Sequence, residues 1–333
     1  MHKKKVTIQD IAEKANVSKS TVSRVLNKSK LVKEHKRLAV LAAMKQLDFQ
    51  PNQMARSLAG GRSMTIGVMT QDIGSPFYDA VARGVNDGLK ETQYSPIFVD
   101  GQWNAEVEGL AIDTLLDRRV DGIILIGGNL SSEELSEVQN QKQLMVVARE
   151  VEGWDSNCIF VDNYAAAYDA TQYLIKSGHQ QIAFISGIPN QQDSQRRKNG
   201  FEQAMKDNNI VVNEKLCVEG DFRPESGVSA VETLLERGEK FSAIFCSNDE
   251  MAFGARLALF RKNINVPEDV SIVGFDDQPM SEFMTPPLTT VKQPAYEMGV
   301  VAAEAMEKLL EGETYVAPKL KTELVIRESV ASI

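Results

Sequence analysis

Histidine, cysteine and tryptophan are scarce in this chain, with 3, 3 and 2 copies among 333 residues. Cys158, Cys217 and Cys246 are widely spaced and form no C-x-x-C or Cys/His pair. Neither a zinc site nor a disulfide framework is expected, and buried thiols in a reducing cytosol fit better. His2 and His35 fall near the N-terminus and His179 stands alone. That leaves no Ser/His/Asp or Cys/His arrangement for nucleophilic catalysis, and P-loop and zinc spacings are missing too. No apolar run is long enough to span a membrane. Lys3, Lys4 and Lys5 are not followed by an apolar segment, so no signal peptide is expected. The expectation is a cytoplasmic protein that is not an enzyme and needs no cofactor and no metal. A hydrophobic share of 43% and a charged share of 25% are those of a globular chain with a substantial core, and the length suits about two or three domains.

The net charge of −9 conceals an asymmetry. Residues 1–60 hold 13 Lys and Arg against 4 Asp and Glu, whereas the other 273 residues hold 24 against 42. A basic head on an acidic body is the footprint of a DNA-binding module joined to a domain with another task. The acidic body also discourages the rest of the chain from lying on DNA.

Within that basic head, Val6 to Asn27 read VTIQDIAEKANVSKSTVSRVLN. The layout is a helix-turn-helix. Thr7 can cap a first helix, with Asp10 three residues on to complete a capping box. Ile8, Ile11, Ala12 and Ala15 give that helix one apolar face. Asn16 suits the turn, Ser18 can cap the second helix, and Val22, Val25 and Leu26 face inward. Lys19, Ser20, Ser23, Arg24 and Asn27 then face outward, where they can reach phosphates and base edges in a major groove. Val40, Ala43, Met44 and Leu47 keep helical spacing, so a third helix over 34–47 would close a three-helix headpiece.

This stretch, and then most of the chain, resembles the lactose/galactose repressor (LacI/GalR) family. The family begins V-T-[IL]-x-D-[IV]-A-x-x-A-x-V-S-x-x-T-V-S-R-V-[LV]-N, and every fixed position is met from Val6 to Asn27. The resemblance implies a headpiece over 1–50 whose DNA contacts include Thr7, Ser18, Lys19, Ser20, Thr21, Ser23, Arg24 and Asn27. Lys36 stands where the family usually has threonine, so a phosphate or capping contact there can differ. Residues 51–61 resemble the family's hinge helix, too short to be stable alone. Asn52, Ala55, Arg56 and Leu58 are its implied DNA contacts, with Leu58 as a minor-groove wedge. The other reading of this segment is a glycine-ended linker with Leu58 packed on the body.

From Met64 onward, apolar runs alternate with amphipathic stretches. Strands are expected at 65–70, 97–100, 122–126, 145–148, 159–161, 182–186, 243–246 and 271–275. Helices are expected at 78–91, 106–116, 165–177, 195–207, 225–237, 251–262 and 296–310. One sheet holding every strand would be unusually wide, and two doubly wound parallel sheets with a cleft between them fit better. The resemblance implies an α/β periplasmic-binding-protein-like core of two lobes over 62–333. The N-lobe would span about 64–162 and 288–323, and the C-lobe about 163–287 and 324–333.

Ligands bind beyond the carboxyl ends of strands in such sheets. Ser75 and Phe77 follow the first strand of the body in a loop matching the family's S-P-[FY]-[FY]. Arg149 follows the strand at 145–148, and Asp193 and Arg197 precede Gly200-Phe201, matching R-x-x-G-[FYW]. Phe222, Asn248 and Asp276 end further strands. A carboxylate, an amide and a guanidinium with an aromatic ring suit a sugar, whose vicinal hydroxyls donate and accept and whose apolar face stacks. Asp276 and Asp277 also suit turn caps, Asn248 a helix N-cap and Asp193 a solvated loop, and Tyr296 suits either pocket or packing.

The expected function is a transcriptional repressor whose operator affinity is set by a small ligand, most simply a sugar. Its DNA partner would be a pseudo-palindromic duplex read by a homodimer. No leucine heptad follows the segment 324–329, so a dimer rather than a tetramer is expected. A purine ligand is the alternative with Phe222 as stacking partner, but the uncharged Pro189-Asn190-Gln191-Gln192 loop favours it less. A phosphocarrier-protein partner is a third reading, and a solute-binding protein a fourth.

Overall fold

The computed structural model describes residues 6–26, 32–49, 62–154 and 156–333. Asn27 and the expected hinge residues Asn52, Ala55, Arg56 and Leu58 lie outside the described residues. The chain divides into two compact units, Met1–Ser63 and Met64–Ile333.

In the first unit, α1 (Ile8–Lys14) begins at a capping box: the Asp10 amide donates to Thr7 Oγ1, and the Thr7 amide donates to Asp10 Oδ2 at 2.7 Å. Such a cap contributes roughly 0.5–2 kcal/mol. Asn16 at φ 50° makes the turn, which asparagine tolerates better than most side chains. Ser18 precedes α2 (Lys19–Leu26) and accepts from the Thr21 amide at 3.2 Å. Ile11, Ala12, Val22, Val25, Val40 and Ala43 form the small core under α3 (Glu34–Gln46). Ile8, expected on that apolar face, is 38% exposed at its margin.

The second unit contains two sheets, as expected for this fold class. The first has strand order β2-β1-β3-β4-β5, entirely parallel. Its strands are β1 (Thr65–Thr70), β2 (Ser95–Asp100), β3 (Gly122–Ile126), β4 (Gln143–Val147) and β5 (Cys158–Ile159). The second has order β11-β10-β9-β8-β6-β7. Its strands are β6 (Ile182–Ser186), β7 (Cys217–Glu219), β8 (Ala243–Cys246), β9 (Ser271–Asp276), β10 (Thr289–Lys292) and β11 (Glu323–Val325). All pairings there are parallel except β10 with β11.

Both faces of each sheet are covered, which is why the central strands are buried along nearly their whole length. On the first sheet, α4 (Pro76–Gly88) and α11 (Ala295–Glu311) cover one face, and α5 (Ala105–Asp117) with α6 (Ser132–Gln139) the other. On the second, α7 (Asn163–Lys176) and α8 (Gln192–Asp207) oppose α9 (Pro224–Glu236) and α10 (Asp249–Arg261). The helices α4 and α11 meet backbone to backbone: a Cβ on Gly84 would lie 2.0 Å from the Tyr296 carbonyl oxygen, so only glycine permits the crossing.

The expected N-lobe segment 288–323 needs correction. Strand β10 pairs with β9, and Leu288 fills the second lobe's core, so the chain enters the first lobe only after Gln293. The strand escapes the eye because Thr289 and Thr290 are polar yet fully buried. Thr290 donates to Asp249 Oδ1 at 2.5 Å, and the Thr289 amide donates to Ser329 Oγ at 2.8 Å. Strands β7, β10 and β11 and helix α6 were not expected. The three strands are three or four residues long, too few to show alternation, whereas α6 is as long as α2 and starts at a Ser131–Glu134 capping box that the sequence does carry.

Candidate effector cleft and DNA-reading surface

Two lobes place the carboxyl ends of their strands around one cavity of about 270 Å3, near the small end of ligand pockets, roughly 300–1,000 Å3. The first lobe supplies an aromatic wall. Phe77 meets Tyr78 edge to face at 5.3 Å between centroids, and Tyr78 meets Trp103 at 5.8 Å. The second lobe supplies Arg197, Asn248 and Asp276, with Phe222 beside them. Gly187 makes room for that ring: a Cβ there would lie 1.9 Å from Phe222 Cζ.

Each polar group is held in place. Arg197, 4% exposed, donates through Nε to Asn163 Oδ1 at 2.8 Å and through Nη1 to the Ser247 carbonyl at 2.5 Å. Its guanidinium lies 3.8 Å from the centroid of the buried Phe275 ring, a cation–π contact. Asn163 also donates to Asp193 Oδ1 at 3.2 Å. Asn248 caps α10, accepting from the Met251 amide at 2.9 Å, while its Nδ2 donates to the Phe222 carbonyl at 2.8 Å. The cap role and the cavity position therefore coexist. Asp276 accepts from Gln293 Nε2 at 2.7 Å, and Asp277 is tied instead to Arg327 at 2.7 Å. Beneath the site, buried Asp249 accepts from the Gln278 amide and the hydroxyls of Ser281 and Thr290.

Of the eight residues expected at a ligand, Ser75, Phe77, Asp193, Arg197, Phe222, Asn248 and Asp276 line this cavity. Arg149 does not. Its Nη1 donates to the Gly128 carbonyl at 3.1 Å, inside the first lobe near Glu108. Tyr296, left open between pocket and packing, is 40% exposed and donates to Asp87 at 3.2 Å, away from the cavity. Tyr78, Gln102, Trp103, Gln191, Glu250 and Gln293 line the cavity without having been expected there. Gln102 and Trp103 follow β2, so the rule that found Ser75 and Phe77 would have found them.

Burial raises Asp276 in the cleft and Asp249 beneath it. Asp276 is pushed up to about 6, burial outweighing the opposing pull of Arg197 and Gln293. Asp249 is pushed up to about 7 by burial and then by Asp276. Their unfolded values lie near ~4. Raised folded values mean the stabilising difference is fully present below the unfolded value and is lost as pH rises through about 6 and about 7. Asp276→Asn removes one of these groups. Its melting temperature relative to the unsubstituted protein is therefore expected to climb between about pH 4 and about pH 6 and to level off above that. A difference that stays flat or falls over that range contradicts the assignment. The thiols are poor nucleophiles: Cys158 and Cys246 are buried, and burial pushes Cys217 up to about 11.

On the headpiece, Ser18, Lys19, Ser20, Ser23 and Arg24 are exposed on or beside α2, and Thr21 is half-buried. Val22 and Val25, both buried, fix which side faces out. The Thr7 hydroxyl belongs to the capping box, and the Ser18 hydroxyl bonds Ser20 at 2.8 Å and Thr21 at 2.9 Å.

A headpiece with an exposed basic helix and a separate two-lobed ligand cleft defines a ligand-responsive DNA-binding protein. Residues 7–52 match the family of bacterial regulatory proteins of the lacI type, and residues 171–330 match the periplasmic binding protein-like domain. The chain is 38% identical over 311 residues to catabolite control protein A of Priestia megaterium, covering 93% of this chain and 94% of that one. A lac repressor dimer bound to operator and the anti-inducer ONPF is similar at TM-score 0.87 and 28% identity, over 98% of this chain and 100% of that one. The regulator CelR in complex with cellobiose is similar at TM-score 0.73 and 30% identity, over 97% and 99% of the two chains. The chain belongs to the lacI family and is a DNA-binding transcriptional repressor rather than an enzyme. The lac repressor structure is a dimer on its operator, and the CelR structure holds cellobiose.

Proposed function

We propose that this repressor acts in the cytoplasm as a homodimer on a pseudo-palindromic operator, and that a sugar bound between its lobes sets its operator affinity. The observation that carries the sugar reading is the pairing of an aromatic wall on one lobe with buried Arg197 and Asn248 and half-buried Asp276 on the other. A pyranose has an apolar face for the rings and a rim of hydroxyls for the polar set. The cellobiose complex of a family member supports the same reading. Closing the lobes on a ligand shifts a two-state equilibrium, and its differential affinity for the two states is what changes DNA binding.

The test is a thermal-shift screen of the full chain against mono- and disaccharides. A ligand that binds only the folded state raises the melting temperature by mass action. A sugar that does so supports the reading, and a purine as the sole hit overturns it.

On the DNA side, α2 reads the major groove through Lys19, Ser20 and Arg24. The segment holding Asn52, Ala55, Arg56 and Leu58 serves as the hinge, with Leu58 from each copy entering a central base step. Wedging unstacks bases at a few kcal/mol per step and bends the duplex toward further contact. Leu58→Ala is therefore expected to weaken operator binding at least ~10-fold by anisotropy titration, with effector binding unchanged. Equal operator affinity would remove Leu58 from the DNA contact.

A further inference from the structure

The charge of the cleft is lopsided. Asp72, Asp193, Asp221, Glu250 and Asp276 line it against only Arg197 and Arg223. Three of the carboxylates are answered by the protein. Asp193 takes the Asn163 amide at 3.2 Å, Asp221 takes the Arg223 backbone amide at 2.9 Å, and Asp276 takes the Gln293 amide at 2.7 Å. Asp72 and Glu250 have no side-chain hydrogen bond or ion pair among the described residues.

These two come from opposite lobes, Asp72 from the loop after β1 and Glu250 from the first turn of α10. Burial first, then the repulsion of Asp276 and Asp72, push Glu250 up to about 7, and Arg223 offsets only part of this. The Nε–Nη2 edge of Arg197 is not free to fork onto an anion, because Nε donates to Asn163, and Nη1 is also engaged, on the Ser247 carbonyl.

A carboxylate or phosphate brought into this space would meet like charge in a partly dry cavity, where a like-charge pairing across an interface costs several-fold to many-fold in affinity. Neutral hydroxyls suffer no such penalty and can donate to the acids. We propose that the cleft excludes anionic ligands, so that the effector is a neutral or amine-bearing sugar, and that Asp72 and Glu250 set this exclusion. The inference rests on the reading of the cleft as a sugar site and narrows it.

The experiment uses the full chain and matched probes: glucose with glucosamine, glucuronate and glucose 6-phosphate; galactose with galactosamine and galacturonate; cellobiose with cellobiuronate. Binding is read by thermal shift and then calorimetry near pH 7.5 at physiological salt. For whichever parent sugar binds, the acid or phosphate is expected to bind at least ~10-fold more weakly and the amine at least as tightly. The acid-to-parent ratio of dissociation constants is expected to fall several-fold in Glu250→Gln and further in the Asp72→Asn, Glu250→Gln double variant. An acid or phosphate that binds as tightly as its parent overturns the exclusion while leaving the sugar reading intact. A ratio unchanged in the double variant overturns the role of Asp72 and Glu250. No binding by any sugar of any charge overturns the sugar reading and the exclusion with it.

Discussion

Asp276→Asn lowers effector affinity by about 100-fold, from the loss of one charged hydrogen-bond partner at ~3 kcal/mol. Asp276 lies at the carboxyl end of β9 with its carboxylate in the cavity and one oxygen fixed by Gln293. Its backbone is at φ 120° and that of Asp277 at φ 54°, conformations that cost a non-glycine residue roughly 1–3 kcal/mol each. Asparagine tolerates positive φ about as well as aspartate does, keeps the shape and keeps one oxygen for Gln293. What it loses is the second acceptor and the charge, so a sugar hydroxyl that was held by a carboxylate meets an amide instead. Calorimetry with the sugar found by thermal shift checks this. Operator affinity in the absence of effector is expected to remain unchanged, because the headpiece is a separate compact unit. An unchanged effector affinity would remove Asp276 from the binding site.

Arg24→Ala produces the largest expected effect on DNA. The side chain is exposed on α2, and the burial of Val22 and Val25 keeps it facing out. An arginine forked onto a guanine edge contributes about 1–3 kcal/mol of discrimination. A two-fold dimer uses it twice, so the variant should lose roughly 2–6 kcal/mol on a palindromic operator. The duplex for this test comes from selection of random DNA by the unsubstituted protein. Loss confined to the selected sequence, with non-specific binding nearly retained, marks a base contact. Uniform loss across sequences, with a salt slope reduced by about one, marks a phosphate contact and moves base reading to Lys19 and Ser20.

The headpiece was legible because its rules are short-range. Thr7 and Asp10, Asn16, and Ser18 with Thr21 each act over two or three residues, and the structure shows each of them doing so. The cleft was legible in part, because the carboxyl ends of parallel strands can be located in a sequence. What that rule does not give is the direction a side chain turns. Arg149 ends β4 as expected, yet it turns back to the Gly128 carbonyl. Asn163, which links Arg197 to Asp193, comes from the start of a helix on the second lobe. Nothing in its sequence neighbourhood signals that link, which spans 34 and 30 residues of chain. Strand β10 was missed for a related reason. Its buried hydroxyls are satisfied by Asp249 and by groups of the distant tail, so a polar segment becomes core only once the tertiary fold exists.

The lobes also touch away from the cavity. The Glu150 amide donates to Gln192 Oε1 at 3.0 Å, Gln192 Nε2 returns a bond to the Glu150 carbonyl at 3.1 Å, and Arg196 pairs with the Glu150 carboxylate. Both charged partners are about half exposed, so this pair contributes little to stability. Its position joins the loop after β4 to the first turn of α8, which also carries Asp193.

The most direct test of the central claim is operator affinity measured with and without saturating sugar, at one fixed salt concentration. If the cleft controls the headpiece, filling it changes operator affinity by at least ~5-fold, within the usual range of coupling between sites. Equal operator affinity with the cleft demonstrably full would contradict control of DNA binding through this site.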